Sequence, residues 1–243
     1  MRFWLGLLVL SATMPCGCGR ARPTGNVSPV RVLMTVESAG ETNQASVCLI
    51  DHYALEFGAD GDTADAAIYD LEEMSWWTSE EPRAVTLKTA EKQAEDSRTQ
   101  LRLSRAKSQD TAFNLFVDQL INPKFDIQEE QGTLSMKSPA FNYRMSGRLA
   151  LDPLQRRRLL DYDRLNAYRK SQMESKTPPF VQLAIDDELE RRDLTPARYD
   201  VDLRTPAARV KFTIQFEVVR PDEAGVAELR RRVDEMKKVR TGG

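Results

Sequence analysis

The sequence Val210-Lys211-Phe212-Thr213-Ile214-Gln215-Phe216-Glu217-Val218 alternates apolar and polar side chains without interruption. Successive side chains of a β-strand point to opposite faces, so the alternation puts the apolar residues on one face and the polar residues on the other. This segment is the clearest strand pattern in the chain. It predicts a half-buried strand in an antiparallel sheet, with other elements covering the apolar face.

Segments of the same kind occur throughout the chain. Close to the start of the chain, apolar residues occupy every second position at Val30, Val32, Met34 and Val36. Turn residues separate the segments that follow, and Asp60-Gly61 is typical of a hairpin. The first half of the chain is therefore predicted to be an antiparallel meander. The predicted strands cover residues 30–37, 45–57, 66–71, 74–78, 84–87, 125–127, 133–136, 141–145, 199–203 and 210–218.

Helical patterns lie between and after these strands. Asp152-Pro153 is a typical helix start, with Asp as the N-cap and Pro in the first helical position, and Lys176-Thr177-Pro178-Pro179 ends that helix. The predicted helices cover residues 88–105, 111–121, 152–175, 185–192 and 221–240. The simplest architecture is a single α+β domain over residues 30–240, an antiparallel meander sheet with helices packed on one face.

Composition excludes several classes of protein. The chain has 243 residues, of which 35 are Lys or Arg and 37 are Asp or Glu, for a formal net charge of −2. Because the charge is balanced, we expect no nucleic-acid partner. A single His excludes any site built on two or three histidines, including zinc-finger motifs. No sequence motif indicates a cofactor, and we predict neither a cofactor nor a metal site.

The N-terminal segment has the layout of a secretory signal peptide. Arg2 provides the positive charge, and residues 3–10 form a continuous apolar run that fades before Gly19. The run is too short for a transmembrane helix, which needs about 20 apolar residues. We therefore predict a signal peptide over residues 1–18 and export of the chain, with a buried N-terminal helix as the alternative.

Two cysteines at the end of the leader raise the question of a lipid anchor. Cys18 follows Gly17, as expected of a lipidated cysteine, although Pro15 fits that pattern poorly. Cys16 is the alternative anchor, and release of a soluble exported protein is the alternative to anchoring. Residues 19–29 are predicted to form a linker. The protein would then lie in the periplasm or on a membrane surface to which the lipid binds it. Cys48, in an apolar strand, is predicted to be a buried thiol.

Short segments of the chain resemble known proteins. Ser138-Pro139-Ala140-Phe141-Asn142-Tyr143, Tyr162 with Leu165-Asn166-Ala167, and Pro178-Pro179-Phe180 resemble uncharacterised exported proteins of planctomycete bacteria. That resemblance implies export and no known activity. Ala67-Ile68-Tyr69-Asp70-Leu71, after a hairpin and before a helix, resembles the curved sheets of periplasmic lipoprotein carriers, which is an analogy of fold alone.

Trp76 and Trp77 are the best candidates for ligand contact. Adjacent residues of a strand face opposite sides, so one indole is expected in the core and the other on the surface. The acidic pairs Glu72-Glu73 and Glu80-Glu81 flank them, and carboxylates beside aromatic rings are compatible with a sugar site. Among the other candidates, we expect His52 to be a surface or strand-end residue, since Asp51 is badly placed to orient it.

Two further charged features have simple structural interpretations. Asp60-Gly61-Asp62-Thr63-Ala64-Asp65 fits a hairpin turn better than a calcium loop, because its spacing does not match the EF-hand pattern. Three basic runs, at 156–158, 191–192 and 230–232, lie in helices that also carry acids. We interpret them as solvated helix faces with local ion pairs, and a patch for phosphate head groups is the alternative.

No catalytic motif is assembled in the sequence, so no catalytic residue is assigned. We therefore expect a non-enzymatic exported protein, associated with the bacterial envelope or acting in binding, with an unidentified ligand. Its specific form has an apolar groove on the sheet that holds a lipid or a peptide. The alternative is a hydrolase that uses carboxylates, which requires two acidic side chains converging in a cleft, one of them with a raised pKa.

Overall fold

The structure is a computed structural model that describes residues 25–57, 67–172 and 178–241. Within these residues the chain forms eleven strands and five helices. The strands are β1 Val27–Ser38, β2 Glu41–Asp51, β3 Tyr53–Phe57, β4 Ala67–Asp70, β5 Ser75–Thr78, β6 Val85–Thr86, β7 Asp126–Glu130, β8 Thr133–Lys137, β9 Phe141–Ser146, β10 Arg198–Arg204 and β11 Arg209–Val219. The helices are α1 Leu87–Lys107, α2 Thr111–Ile121, α3 Pro153–Gln172, α4 Phe180–Arg191 and α5 Glu223–Thr241.

All eleven strands belong to one antiparallel sheet. Its order is β6-β5-β4-β3-β2-β1-β11-β10-β9-β8-β7, so two meanders meet where β1 pairs with β11. In that central pair Val32 lies opposite Val218 and Met34 lies opposite Phe216. The alternating segment 210–218 is thus the part of β11 that joins the two halves. The predicted α+β class, with one antiparallel sheet and a helical layer, is confirmed.

The main helical layer consists of α1 to α4. Val47 and Leu49 of β2 face this layer and belong to the largest buried cluster, together with Ala90 of α1 and Leu165 of α3. Around the other half of the sheet, a second cluster brings residues of α2 and α4 against β8 to β11 on the same face. Burial of these apolar side chains is the main favourable contribution to folding.

The fifth helix packs on the opposite face of the sheet. Cys48 and Ile50 alternate with Val47 and Leu49 along β2, and they lie in a third cluster with Leu229 and Val233 of α5. The prediction placed all helices on one face, whereas α5 covers the other face across β2 to β5. Burial raises the pKa of the Cys48 thiol to about 11, which fits the predicted structural role of this cysteine.

Several predicted boundaries differ from the structure. β1 begins at Val27, inside the predicted linker, because it pairs with β2 from that residue. The predicted strand 45–57 is two strands, since Asp51 has a φ of 52° and turns the chain back on itself. α4 begins at Phe180 instead of residue 185. The start of α3 at Pro153 is confirmed, and Asp152 and Gln155 hydrogen-bond each other's backbone N–H there at 2.8 and 3.0 Å.

Some predictions concern residues outside the described part of the chain. They include the signal peptide, Cys16, Cys18, most of the linker, and the Asp60–Asp65 segment. Among the residues that are described, no helix combines the length and the apolar character that spanning a membrane requires.

Candidate ligand-binding cavity

A cavity of about 120 Å³ lies between the centre of the sheet and helices α3 and α4. Strands β1, β2, β9, β10 and β11 form its floor, and the two helices form its roof. Its position follows from the topology, because the two meanders join at β1 and β11 and both helices cross above that junction. The segment after α4 closes one end, where the Leu149 N–H donates to the carbonyl oxygen of Thr195 at 2.9 Å.

The floor of the cavity is apolar. Val32 and Met34 of β1 and Ile214 and Phe216 of β11 contribute neighbouring side chains to it, as their alternation and pairing require. Val32 and Ile214 are buried, whereas Met34 and Phe216 stay half-buried although they face the helical layer. The helices therefore leave part of this apolar surface unfilled, which is unusual in a close-packed interior.

The roof carries polar groups among its apolar residues. Asp163, Asn166 and Lys170 follow one another at helical spacing along α3, and Gln182 of α4 lies beside them. Residues three and four positions apart share a face of a helix, so the four side chains form one polar strip opposite the apolar floor. The cavity thus has an apolar side and a polar side.

One end of the polar strip is a connected network of hydrogen bonds. The Arg169 guanidinium donates to Glu56 Oε2 at 2.6 Å and to Tyr69 Oη at 2.7 Å. Tyr69 Oη is in turn 2.9 Å from Glu56 Oε2 and 3.1 Å from Asn166 Oδ1, and Asn166 donates to Tyr162 Oη at 3.1 Å.

The network controls the ionisation of its members. Burial opposes ionisation of Glu56, but Arg169, Lys170 and the Tyr69 hydroxyl together hold the pKa of Glu56 below its ordinary value. Burial and the Glu56 charge raise the pKa of Tyr69 well above its ordinary range. Glu56 is therefore an ionised carboxylate whose charge is already matched by Arg169.

Asp163 lines the cavity, Asp186 lies behind it on α4, and both carboxyls have raised pKa values. Burial raises the pKa of Asp163 to about 7, with Lys170 opposing and Glu56 reinforcing the shift. Burial and the nearby Asp163 raise the pKa of Asp186 well above its ordinary value. Asp186 Oδ1 accepts a hydrogen bond from Gln182 Nε2 at 2.6 Å. Burial raises the pKa of Tyr199, which lines the cavity, well above its ordinary value, and both carboxyls reinforce this shift.

Three buried oxygen atoms around the cavity lack a hydrogen-bond partner within the described residues: Asp186 Oδ2, Tyr143 Oη and Thr195 Oγ1. The three residues are 2%, 3% and 4% exposed, and Tyr143 and Thr195 line the cavity directly. A buried polar group without a partner costs about 1–3 kcal/mol. Several such atoms around one cavity are typical of a site that a ligand or ordered water completes.

Neither predicted ligand-contact tryptophan lines this cavity. Trp76 and Trp77 do face opposite sides of the sheet, as expected, in the first and third clusters respectively. The expectation that one of them is exposed is wrong, because they are 4% and 1% exposed. Helix α5 covers Trp77, whose Nε1 donates to the Met236 carbonyl oxygen at 3.2 Å.

The remaining sequence candidates lie in structural positions. His52 is half-buried in the turn between β2 and β3, and its carbonyl oxygen accepts from the Leu71 N–H at 2.9 Å. This position agrees with the predicted strand-end His. Glu72 pairs with Arg158 at 3.2 Å and Glu73 pairs with Arg240 at 3.1 Å. These ion pairs engage Glu72 and Glu73 with arginines, so the two acids do not form a sugar site with the tryptophans.

The basic runs form ion pairs both within their own helices and with other elements of the fold. Arg231 and Arg232 both pair with Glu228, as the interpretation of solvated helix faces requires. Arg158 contradicts that interpretation, since it is 1% exposed. Its guanidinium donates to the carbonyl oxygens of Leu71 at 3.0 Å and Gly25 at 3.3 Å, so it holds the loop after β4 and the approach to β1 against α3.

A larger concavity, of about 1050 Å³, lies on the sheet face opposite α3 and α4. Side chains of β7 to β11 and the β1–β2 hairpin line it. Asp200 and Asp202 are the central acids, and hydrogen bonds from Arg198 and Arg209 respectively hold the pKa of each below its ordinary value. Since these charges satisfy one another, the concavity is a solvated polar sheet face.

Comparison with known proteins provides no family assignment: no protein-family model matches the chain, and a search of curated proteins found no significant match. In the described residues, no group of three or more His, Cys, Asp or Glu side chains is arranged to hold a metal ion.

Sequence reasoning missed the residues that make the cavity distinctive, namely Asp163, Asp186 and Lys170. Asp186 did carry a signal, because it lies three residues from both Leu183 and Leu189 and so on the apolar face of α4. A carboxyl on such a face is rarely buried unless it has a structural partner or a function.

Proposed function

We propose that this is an exported binding protein whose central cavity holds an apolar ligand, such as the alkyl or acyl chain of a lipid. The observation that carries the proposal is the unfilled apolar floor, where Met34 and Phe216 stay half-buried beneath α3 and α4. Binding sites for small molecules are usually concave, mostly apolar and provided with a few convergent polar groups. The cavity combines these features.

The size of the cavity limits what binds without movement. An apolar protein cavity of about 150 Å³ takes up benzene, and this cavity is about 120 Å³. Only the first few carbons of a chain fit in the closed form, and a longer chain requires α3 and α4 to move away from the sheet. Each buried methylene contributes about 0.8 kcal/mol, so affinity rises along an alkanol series until the helices resist further opening.

The hydrolase alternative is less well supported. Asp163 and Asp186 are two acidic side chains that approach each other with raised pKa values. Hydrolysis with two carboxyls needs one of them protonated and the other ionised, whereas burial opposes ionisation of both. A polar substrate would also have to lie against the apolar floor of Val32 and Ile214. Binding therefore accounts for more of the geometry than hydrolysis does.

Export and association with the envelope are part of the proposal. They are supported by the leader and linker patterns, by the resemblance to exported proteins, and by the analogy of fold with periplasmic lipoprotein carriers. Intact-mass spectrometry of the full chain, expressed in a bacterial host and fractionated, tests them. A membrane-bound species that begins at Cys18 and carries acyl chains identifies a lipoprotein, and a soluble species that begins after Gly19 identifies a released protein. An uncleaved cytoplasmic chain would contradict export.

Filling the cavity is expected to abolish binding. Ala167 lies on α3 at the cavity wall and is 8% exposed, so the ring in Ala167→Phe would occupy the space that the ligand needs. We expect at least a tenfold rise in the Kd for 1-octanol, measured from chemical shifts of the cavity methyl groups in NMR titrations. Overpacking costs about 1–3 kcal/mol, so the fold of the variant is verified by near-UV circular dichroism.

The matched control is Ala106→Phe, which makes the same change on the exposed face of α1. It is expected to bind octanol with unchanged Kd. Equal octanol affinity in a folded Ala167→Phe variant would show that the ligand does not use this cavity.

A further inference from the structure

Two hydroxyl groups of the cavity wall have no hydrogen-bond partner within the described residues: Tyr143 Oη and Thr195 Oγ1. Tyr143 belongs to β9 in the floor, and Thr195 belongs to the segment that closes one end of the cavity. The two residues are only 3% and 4% exposed. Solvent outside the protein therefore does not complete the hydrogen bonding of either hydroxyl.

Both residues are fixed by their backbones. Tyr143 pairs with Met136 of β8 and with Val201 of β10, in the interior of the sheet. The carbonyl oxygen of Thr195 accepts from the Leu149 N–H at 2.9 Å. A binding group that is already in position loses little conformational freedom when a ligand arrives, so these two hydroxyls are preorganised for binding.

What the two hydroxyls lack above all is an acceptor. A hydroxyl group has one O–H donor besides its lone pairs, and burial raises the pKa of Tyr143 above its ordinary value, so this proton stays in place at neutral pH. A buried donor without an acceptor is costly. A carbonyl oxygen has two lone pairs and can accept from two donors at once.

The charged side chains beside the cavity already have partners in the protein. Glu56 accepts from the Arg169 guanidinium at 2.6 Å. Burial opposes the ionisation of Glu56 and of Asp163, and Lys170 counters that effect at both carboxyls. No charge on the ligand is needed to match them, and a charged head group in an enclosed site has a high desolvation cost. These contacts favour a ligand with a neutral head group.

From these observations we infer that the ligand is a neutral carbonyl compound, such as an acyl ester, whose carbonyl oxygen accepts hydrogen bonds from Tyr143 Oη and Thr195 Oγ1 while its chain lies on the apolar floor. The inference rests on the proposed function, since it assumes that the cavity takes an apolar chain. An ammonium head offers only donors and accepts from neither hydroxyl. An alcohol accepts a hydrogen bond, but its own proton then requires a further acceptor.

Two probes with the same chain length test the inference by NMR titration: 2-heptanone, which has a carbonyl group, and 1-chloroheptane, which has no comparable acceptor. Each is titrated into the native protein and into Tyr143→Phe, which removes only the hydroxyl. We expect the Kd of 2-heptanone to rise about three- to tenfold in the variant, the value of one neutral hydrogen bond, and that of 1-chloroheptane to change less than about twofold. Comparison of each probe with itself cancels the difference in hydrophobicity between the two.

Thr195→Val removes the second hydroxyl and is expected to have the same selective effect on 2-heptanone. The Tm of the ligand-free variants separates a binding role from a structural one. Because neither hydroxyl has a partner in the ligand-free protein, removing it should leave the Tm unchanged or raise it. Loss of a structural hydrogen bond would lower the Tm.

The matched control is Tyr53→Phe. Tyr53 is a buried tyrosine of β3, 7% exposed, in the third cluster on the opposite face of the sheet. The same chemical change is made there outside the cavity. The Kd values of both probes are expected to equal those of the native protein.

The outcomes separate the inference from the function on which it rests. If neither probe binds the native protein, the proposed function fails and the inference fails with it. If both probes bind and the variants change their Kd values equally or not at all, the cavity holds chains without a carbonyl contact, and the inference alone is overturned. A lowered Tm with unchanged affinity for 2-heptanone also overturns it. If one variant does not fold, the other carries the same comparison.

Discussion

Replacing Arg169 with Met is expected to lower the free energy of unfolding by about 3–5 kcal/mol, the cost typical of breaking a buried ion pair by removing one partner. The side chains of Arg169 and Glu56 are 14% and 18% exposed. Met fills the space of the arginine stem but leaves the Glu56 carboxylate in its enclosed position without its main counter-charge. Tyr69 Oη also loses the donor that lies 2.7 Å away in the native protein.

Urea unfolding at pH 7 measures this loss, and two further variants identify its cause. Arg169→Lys keeps the charge and is expected to lose less than the Met variant. Glu56→Gln/Arg169→Met removes both charges and should recover part of the stability, since no carboxylate is then left unpaired. A loss below about 1 kcal/mol in the Met variant would show that Arg169 does not neutralise Glu56.

The pH dependence of this effect has a definite sign. The folded-state pKa of Glu56 is lowered, so Glu56 adds stability that is present above its unfolded pKa and is lost as pH falls through the folded pKa. Removing Arg169 removes that contribution. The difference between the native protein and Arg169→Met should therefore shrink as pH falls below 4.5, the ordinary pKa of Glu, because the native protein then loses this contribution.

The second large effect is expected to be a gain in stability. The free energy of unfolding of Asp163→Asn, relative to that of the native protein, should be higher at pH 8 than at pH 4. The folded pKa of Asp163 is raised from 3.8 to about 7, so its stabilising contribution is complete below about pH 4 and declines as pH rises to 7. At about 1.4 kcal/mol per pKa unit, the change between the two pH values is at most about 4 kcal/mol.

The measurement is the free energy of unfolding of both proteins at intervals from pH 4 to pH 8. The Asn side chain has its own burial cost, which is constant with pH. The test is therefore how the difference in free energy of unfolding between the variant and the native protein changes with pH. Asp202→Asn is the control, because the Arg209 hydrogen bond lowers the pKa of Asp202. The free energy of unfolding of this control, relative to that of the native protein, should change only below about pH 4. There it should rise as pH falls, because the native protein loses the contribution of ionised Asp202. Parallel curves for Asp163→Asn would contradict a raised pKa.

These two predictions describe different uses of buried charge. Glu56 and Arg169 form a satisfied network that stabilises the fold at one end of the cavity. Asp163 and Asp186 lower stability at neutral pH, and groups of that kind occur mainly where binding or catalysis requires them. The gain in stability expected for Asp163→Asn is therefore a consequence of the buried position of this carboxyl.

Local sequence patterns predicted much of the fold because many of its elements are locally determined. The alternation in 210–218 identified β11, and Asp110, which accepts from the Ala112 and Phe113 N–H groups, marks the start of α2 at the predicted residue. The face of the sheet on which a helix packs is not determined by its local sequence. Even so, Val47-Cys48-Leu49-Ile50 is continuously apolar, a pattern typical of a strand covered on both faces, and it is consistent with α5 on the second face.

The cavity was beyond prediction from local patterns. Glu56, Asp163 and Asp186 lie on β3, α3 and α4, and only the crossing of the helices over the sheet brings them near one space. Their pKa values depend on burial, which a sequence pattern does not give. Trp76 and Trp77 attracted attention as aromatic residues beside acids, yet tertiary packing places both in apolar clusters.

The most direct test of the binding function is a crystal structure of the protein grown with 1-octanol that carries bromine at the end of its tail. Anomalous scattering locates the bromine without reference to the protein. We predict a peak on the apolar floor between Val32, Ile214 and Phe216. A bromine peak only at the outer surface of the protein would contradict the account.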